Sequence, residues 1–130
     1  MPVSEVRSSK IYPTPAPMSM ATLTIGTKML HISGQVAQDL NGDVVGKGDI
    51  TAQTAKALDN IKALVEEAGG SLSDICRIVV YLIGRKDLPA VMDVRRRMLA
   101  KPYPATTAVV VKELAHPDLL IEIEAMAVLA

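Results

Sequence analysis

The sequence contains no Phe, no Trp and only three Tyr, so aromatic residues make up 2% of its 130 positions. Proteins that grip single-stranded nucleic acid stack bases on aromatic faces, and this chain offers no such platform. An excess of one charge is also missing, because 14 Lys and Arg balance 14 Asp and Glu. That balance argues against a broad electrostatic hold on nucleic acid or on an anionic membrane. One cysteine, Cys76, permits no internal disulfide and fits a reducing compartment such as the cytoplasm. Two His and one Cys cannot close a zinc site built from nitrogen and sulfur ligands. The longest apolar stretch, Ile75 to Ile83, is broken by Arg77 and is too short to span a bilayer. Residues 1–10 carry Glu5, Arg7 and Lys10 and lack the apolar run of a signal peptide. The expectation is a cytoplasmic protein with no membrane partner.

What is present is a core-forming chain. Hydrophobic residues reach 49% and charged residues 22%, the balance of a globular domain. At this length one domain, 1–130, can bury a core without staples, its first 20 residues largely extended. With so few aromatics, the core falls to Val, Ile, Leu, Ala and the seven Met.

The segment Tyr12-Pro13-Thr14-Pro15-Ala16-Pro17 has proline at every second position and reads as an extended loop. Ala21 to Ile25 and Lys28 to Ser33 read as strands joined by a hairpin-type break at Gly26-Thr27. Asp49 is placed to cap a helix over about 50–68, with Ile50, Ala57, Leu58, Ile61, Leu64, Val65 and Ala68 at helical spacing and Gly69-Gly70 ending it. Ile75 to Ile83 reads as a buried strand. Asp87 and Pro89 start a second helix that runs to about Ala100. Thr107 to Lys112 and Leu119 to Val128 complete the strands. This order predicts an α+β layer, one sheet with two helices on one face. The strands are apolar on both sides, so a further copy of the chain is the natural cover for the other face.

Several chemical motifs fail. Gly42 to Gly48 lacks the spacing of a phosphate loop, and no nucleophile elbow or dinucleotide fingerprint occurs. Arg95-Arg96-Arg97 spreads over more than half a helix circumference and reads as a solvated face. Glu122 and Glu124 share one strand face, either as solvated acids or as a paired acid–base device. His31 and Ser33 share a face without a visible third group, which favours a structural His. His116 has no visible partner, and Cys76 reads as an inert buried thiol.

Five segments occur in a telling order: His31-Ile32-Ser33-Gly34-Gln35, Ala57-Leu58-Asp59-Asn60-Ile61, Ala68-Gly69-Gly70-Ser71-Leu72-Ser73-Asp74-Ile75, Tyr103-Pro104-Ala105 and Ile121-Glu122-Ile123-Glu124-Ala125-Met126-Ala127. Over about residues 10–130 the chain resembles the Rid (reactive intermediate deaminase, YjgF-type) family. That resemblance implies a six-stranded mixed β-sheet with two α-helices on one face, a chorismate-mutase-like fold, assembled as a barrel-like homotrimer with clefts between subunits. It implies hydrolysis of enamines and imines such as 2-aminoacrylate to 2-oxo acids and ammonia, with no metal and no cofactor.

The resemblance also assigns residues. Glu122 matches the glutamate that positions water, and Ser33 and Gly34 match substrate-binding positions. Three positions depart. Thr106 stands where active members carry an arginine for the substrate carboxylate, Met18 replaces a tyrosine, and Met92 aligns with an asparagine of the second helix. Losing a two-pronged charged grip weakens carboxylate binding by about 2–5 kcal/mol. Lys28, Lys112 or an arginine of a neighbouring subunit could substitute. The small-molecule ligand is thus expected to differ from that of the deaminases. Two other readings stand beside hydrolysis: a non-catalytic small-molecule-binding or regulatory trimer, and a ribonuclease-like activity, which the neutral charge and missing aromatics disfavour.

Overall fold

The computed structural model describes residues 2–130. Six strands and two helices follow one another as β1 (Val3–Val6), β2 (Ala21–Thr24), β3 (Lys28–Gln35), α1 (Ile50–Glu67), β4 (Ile75–Leu82), α2 (Leu88–Met98), β5 (Ala105–Val110) and β6 (Ile121–Leu129). The expected single six-stranded sheet is not found. The strands form a four-stranded mixed sheet in the order β3-β6-β4-β5 and a separate antiparallel pair, β1-β2. The hairpin expected at Gly26-Thr27 is absent too, since β2 pairs with β1 while β3 pairs with β6. The reason is local. The Thr27 amide donates to the Leu129 carbonyl, and a Cβ at Gly26 would lie 2.7 Å from that same oxygen. Gly26 lets the chain turn tightly around the end of β6 instead of folding back on β2.

The core lies between the four-stranded sheet and the two helices. α1 starts at Asp49, whose carboxylate accepts from the Ala52 amide at 3.0 Å. Ala57, Leu58, Ile61 and Val65 are buried at the expected spacing, whereas Leu64 and Ala68 are exposed. β6 alternates from Ile121 to Ala127: Ile121, Ile123, Ala125 and Ala127, with Leu129, are buried beneath the helices, and Val128 is buried on the other face. α2 follows a short 3-10 turn, Arg85–Asp87, and Asp87 makes no side-chain cap bond. Buried Gln53 of α1 holds three backbone groups: its amide donates to the carbonyls of Gly46 and Asp118 and its oxygen accepts from Leu120. A buried amide so satisfied fixes the glycine loop against the start of β6.

The opposite sheet face carries Glu122, Glu124 and Met126 of β6 with Arg77, Val79 and Tyr81 of β4, by the alternation of each strand. At one end of it Val3 of β1 packs on Cys76, Met126 and Val128. Met29 and Val109 remain exposed there. No helix among the described residues is long and apolar enough to cross a membrane.

Candidate functional site

The register of β3 against β6 shapes the first half of the site. Ile32 faces Ala125 and Gln35 faces Ile123, so three steps on β3 match two on β6. The extra residue makes a bulge at Ser33-Gly34, a device that re-aims side chains. Glu122 uses the room left there. A Cβ at Gly34 would lie 2.6 Å from the carboxyl carbon of Glu122 and 2.8 Å from its Cγ. Glycine at 34 thus leaves the space that this placement of the Glu122 carboxylate occupies; its backbone is not in the positive-φ region.

Beside this point lies a cavity of about 260 Å³, lined in part by His31, Ser33, Arg77, Val79, Glu124 and Met126. Glu122 is one pleat further along the same face. Glu124 is not a free acid, because the Tyr81 hydroxyl donates to it. That bond raises the Tyr81 pKa above its ordinary value, with desolvation adding to it. The two glutamates thus share a face as their spacing predicts, but only one is engaged by Tyr81. The sequence gives no cue to this pairing beyond the outward position of Tyr81 on β4. His31 and Ser33 also share a face, and no hydrogen bond joins them.

The second half of the site is elsewhere. Thr106 pairs with Ile78 across the parallel β4–β5 register, which puts its side chain on the helix side of the sheet. Its Oγ1 donates to the Pro104 carbonyl at 3.0 Å. The same carbonyl accepts from the Ser19 amide at 3.2 Å, and the Ser19 hydroxyl donates to the Tyr103 carbonyl. Met18, half-buried, is thereby brought to the edge that carries Thr106. Met92 is half-buried on α2, one turn before Arg95.

The sequence-predicted residues therefore fall into two groups. Ser33, Gly34 and Glu122 lie on or beside one face. Thr106 lies at the opposite face and edge, with Met18 close by. β3 and β5 are the two edges of the four-stranded sheet, so strand spacing alone separates Ser33 from Thr106 by about 14 Å. A single chain does not bring both groups around one small molecule.

Arg95 corrects the reading of the arginine run. It is 2% exposed, while Arg96 and Arg97 are exposed. Its Nη2 donates to the Pro17 carbonyl at 3.1 Å, and its Nε has no acceptor among the described residues. Burial, with Arg96 nearby, pulls its pKa below the usual guanidinium value. Sequence spacing hides this residue, since charged residues are almost never fully buried without a partner. Cys76 behaves as expected of a buried thiol: burial raises its pKa and its Sγ donates to the Met126 carbonyl at 3.3 Å.

The fold that carries these residues is that of a known class. The family model described as Endoribonuclease L-PSP matches residues 14–129. The chain belongs to this family, the Rid (YjgF) family. It is 37% identical over 120 residues to the 3-aminoacrylate deaminase RutC of Acinetobacter baylyi, covering 90% of this chain and 94% of that one. It is 29% identical over 130 residues to a 2-iminobutanoate/2-iminopropanoate deaminase of Dermatophagoides farinae, covering 99% of each. Among solved structures, the Rid-family protein YyfB of Yersinia pestis, itself of unknown function, superposes with a TM-score of 0.92. That match is at 34% identity over 99% of this chain and 100% of the other. Two relatives bearing deaminase names support deaminase-like function at the level of the family.

Proposed function

We propose that this protein is a cofactor-independent hydrolase of small imines or enamines, working in clefts between the subunits of a homotrimer. The observation that carries the reading is the Glu122 carboxylate lodged against Gly34 at the β3 bulge, beside Ser33. In the reaction, water adds to the carbon of a C=N bond. Glu122 takes a proton from that water and returns it to nitrogen, giving a carbinolamine. It then carries the carbinolamine's hydroxyl proton to the amine nitrogen, so that the C–N bond breaks, ammonia leaves and a carbonyl forms. The overall change consumes one water per imine and needs no redox partner. An enamine reaches the same path after proton transfer to carbon. Ser33 orients the substrate from the bulge.

Trimer assembly is the second part of the proposal. The edge bearing Thr106 and Met18 cannot reach Glu122 within one chain, so a neighbouring subunit must supply it. Met92 is assigned to the same wall. The sheet face with exposed Met29 and Val109 is the surface that such an assembly would cover.

The third part concerns the ligand. The Thr106 hydroxyl proton is already committed to the Pro104 carbonyl, leaving only lone pairs for a ligand. Lone pairs repel a carboxylate, so in this reading the substrate is not held by a carboxylate at this position. The relatives named as deaminases of 3-aminoacrylate and of 2-imino acids support the chemistry; the altered ligand preference is our own inference from Thr106.

Two measurements test this reading. Ammonia release from 2-iminopropanoate and from its uncharged amide is expected to favour the amide relative to relatives that carry arginine. Light scattering is expected to give three times the chain mass. No turnover of any small imine would leave the binding-only reading in its place, and a stable monomer would remove the cleft.

A further inference from the structure

Residues 7–20 form a strap from β1 to β2 that passes the C-terminal end of α2. Between strap and helix lies a cavity of about 500 Å³, within the size range of small-molecule sites. Its charge is unbalanced although the chain as a whole is neutral. Arg7, Arg96 and Lys101 line it against a single carboxylate, Glu5, among the described residues. Glu5 pairs with Arg7 at 2.8 Å, and Asp93, outside the lining, pairs with Arg96 at 3.2 Å. Lys101 makes no ion pair among the described residues.

Behind this wall stands Arg95. It is 2% exposed, has no carboxylate partner, and bonds the carbonyl of Pro17, which is itself a lining residue. Its Nε is left without an acceptor. A buried cation without a counter-charge is costly, and its field is poorly screened by solvent. The strap cavity is the concave surface next to it. The remaining walls suit an organic body, for Tyr12 and Tyr103, two of the three tyrosines, line it with Met18 and Met20.

We propose that the strap cavity binds a small carboxylate with a flat apolar body, its anionic end towards Lys101 and Arg96 and its ring against Tyr12 and Met20. The lining contains none of Ser33, Gly34, Thr106, Met92 or Glu122. The site shares only Met18 with the cleft proposed for hydrolysis, and it does not depend on that reading.

The test is a calorimetric titration of the full chain with benzoate and with benzamide, followed by methyl NMR of Met20. Benzoate is expected to bind saturably, at least about tenfold tighter than benzamide, and to shift the Met20 methyl signal. Lys101→Gln changes an exposed side chain and spares the fold; it is expected to weaken benzoate by about fivefold or more. Glu122→Gln is expected to leave benzoate affinity within about twofold. Equal affinity for the two probes, or no saturation by about 10 mM, would overturn the proposal. So would full benzoate affinity in Lys101→Gln, or its loss in Glu122→Gln, which would put the probe at the other site.

Discussion

Gly34→Ala isolates the position of one carboxylate from the stability of the fold. The added Cβ would lie 2.6 Å from the carboxyl carbon of Glu122, where ordinary contact begins near 3.4 Å. The Glu122 Oε2 lies nearer still to that Cβ, so the carboxylate must move by more than about 0.8 Å. Glu122 can do this by turning its own torsions, and alanine does not strain a backbone whose φ is not positive. The cost to folding is expected to stay within about 1 kcal/mol by urea denaturation. The cost to chemistry is larger, because a misplacement of about 1 Å in a reacting group lowers rates by about a hundredfold, or about 2.7 kcal/mol. The assay is kcat for ammonia release from 2-iminopropanoate or its amide, with trimer mass checked in parallel. A Gly34→Ala protein that folds, assembles and keeps kcat within about twofold would refute the placement of Glu122 at the reacting centre.

Other perturbations follow from the same geometry. Thr106→Arg adds a fixed cation at the β5 edge and is expected to raise kcat/KM for 2-iminopropanoate by tenfold or more, while the uncharged amide gains nothing (about 1.4 kcal/mol or more for the carboxylate). Asp49→Ala removes the acceptor for the Ala52 amide and should lower stability by about 1 kcal/mol in urea, with the same final sheet content by circular dichroism. Tyr81 has a folded-state pKa above its ordinary value of 10.0, so the folded protein keeps a proton that the unfolded chain loses. Its contribution is complete below about pH 10 and is lost as pH rises towards the folded value, so wild type should lose urea stability above pH 10 more steeply than Tyr81→Phe.

Much of the architecture was legible because burial writes a period into the chain. α1 shows it in Ala57, Leu58, Ile61 and Val65, and its start is marked by Asp49. β6 shows the period of two from Ile121 to Ala127. The split of the sheet was not legible. β1 is the four residues Val3–Val6 with one buried side chain, too little for any pattern, and its pairing with β2 spans the whole strap. Gly26-Thr27 has the composition of a hairpin turn, but its tertiary contact with Leu129 sends the chain elsewhere.

The site was legible as a set of residues and illegible as a geometry. The register shift that puts Gly34 against Glu122 exists only in the pairing of strands distant in sequence. The helix-side placement of Thr106 likewise comes from its partner Ile78. Arg95 was hidden by its neighbours, for three successive arginines look alike until packing buries one of them.

The most direct test of the hydrolytic role is turnover by Glu122→Gln, which removes the proton acceptor while keeping the side chain's shape. Ammonia release should fall to the uncatalysed rate in a protein that still assembles as three chains. Undiminished release by that intact assembly would contradict the role given to Glu122 and, with it, the proposed chemistry.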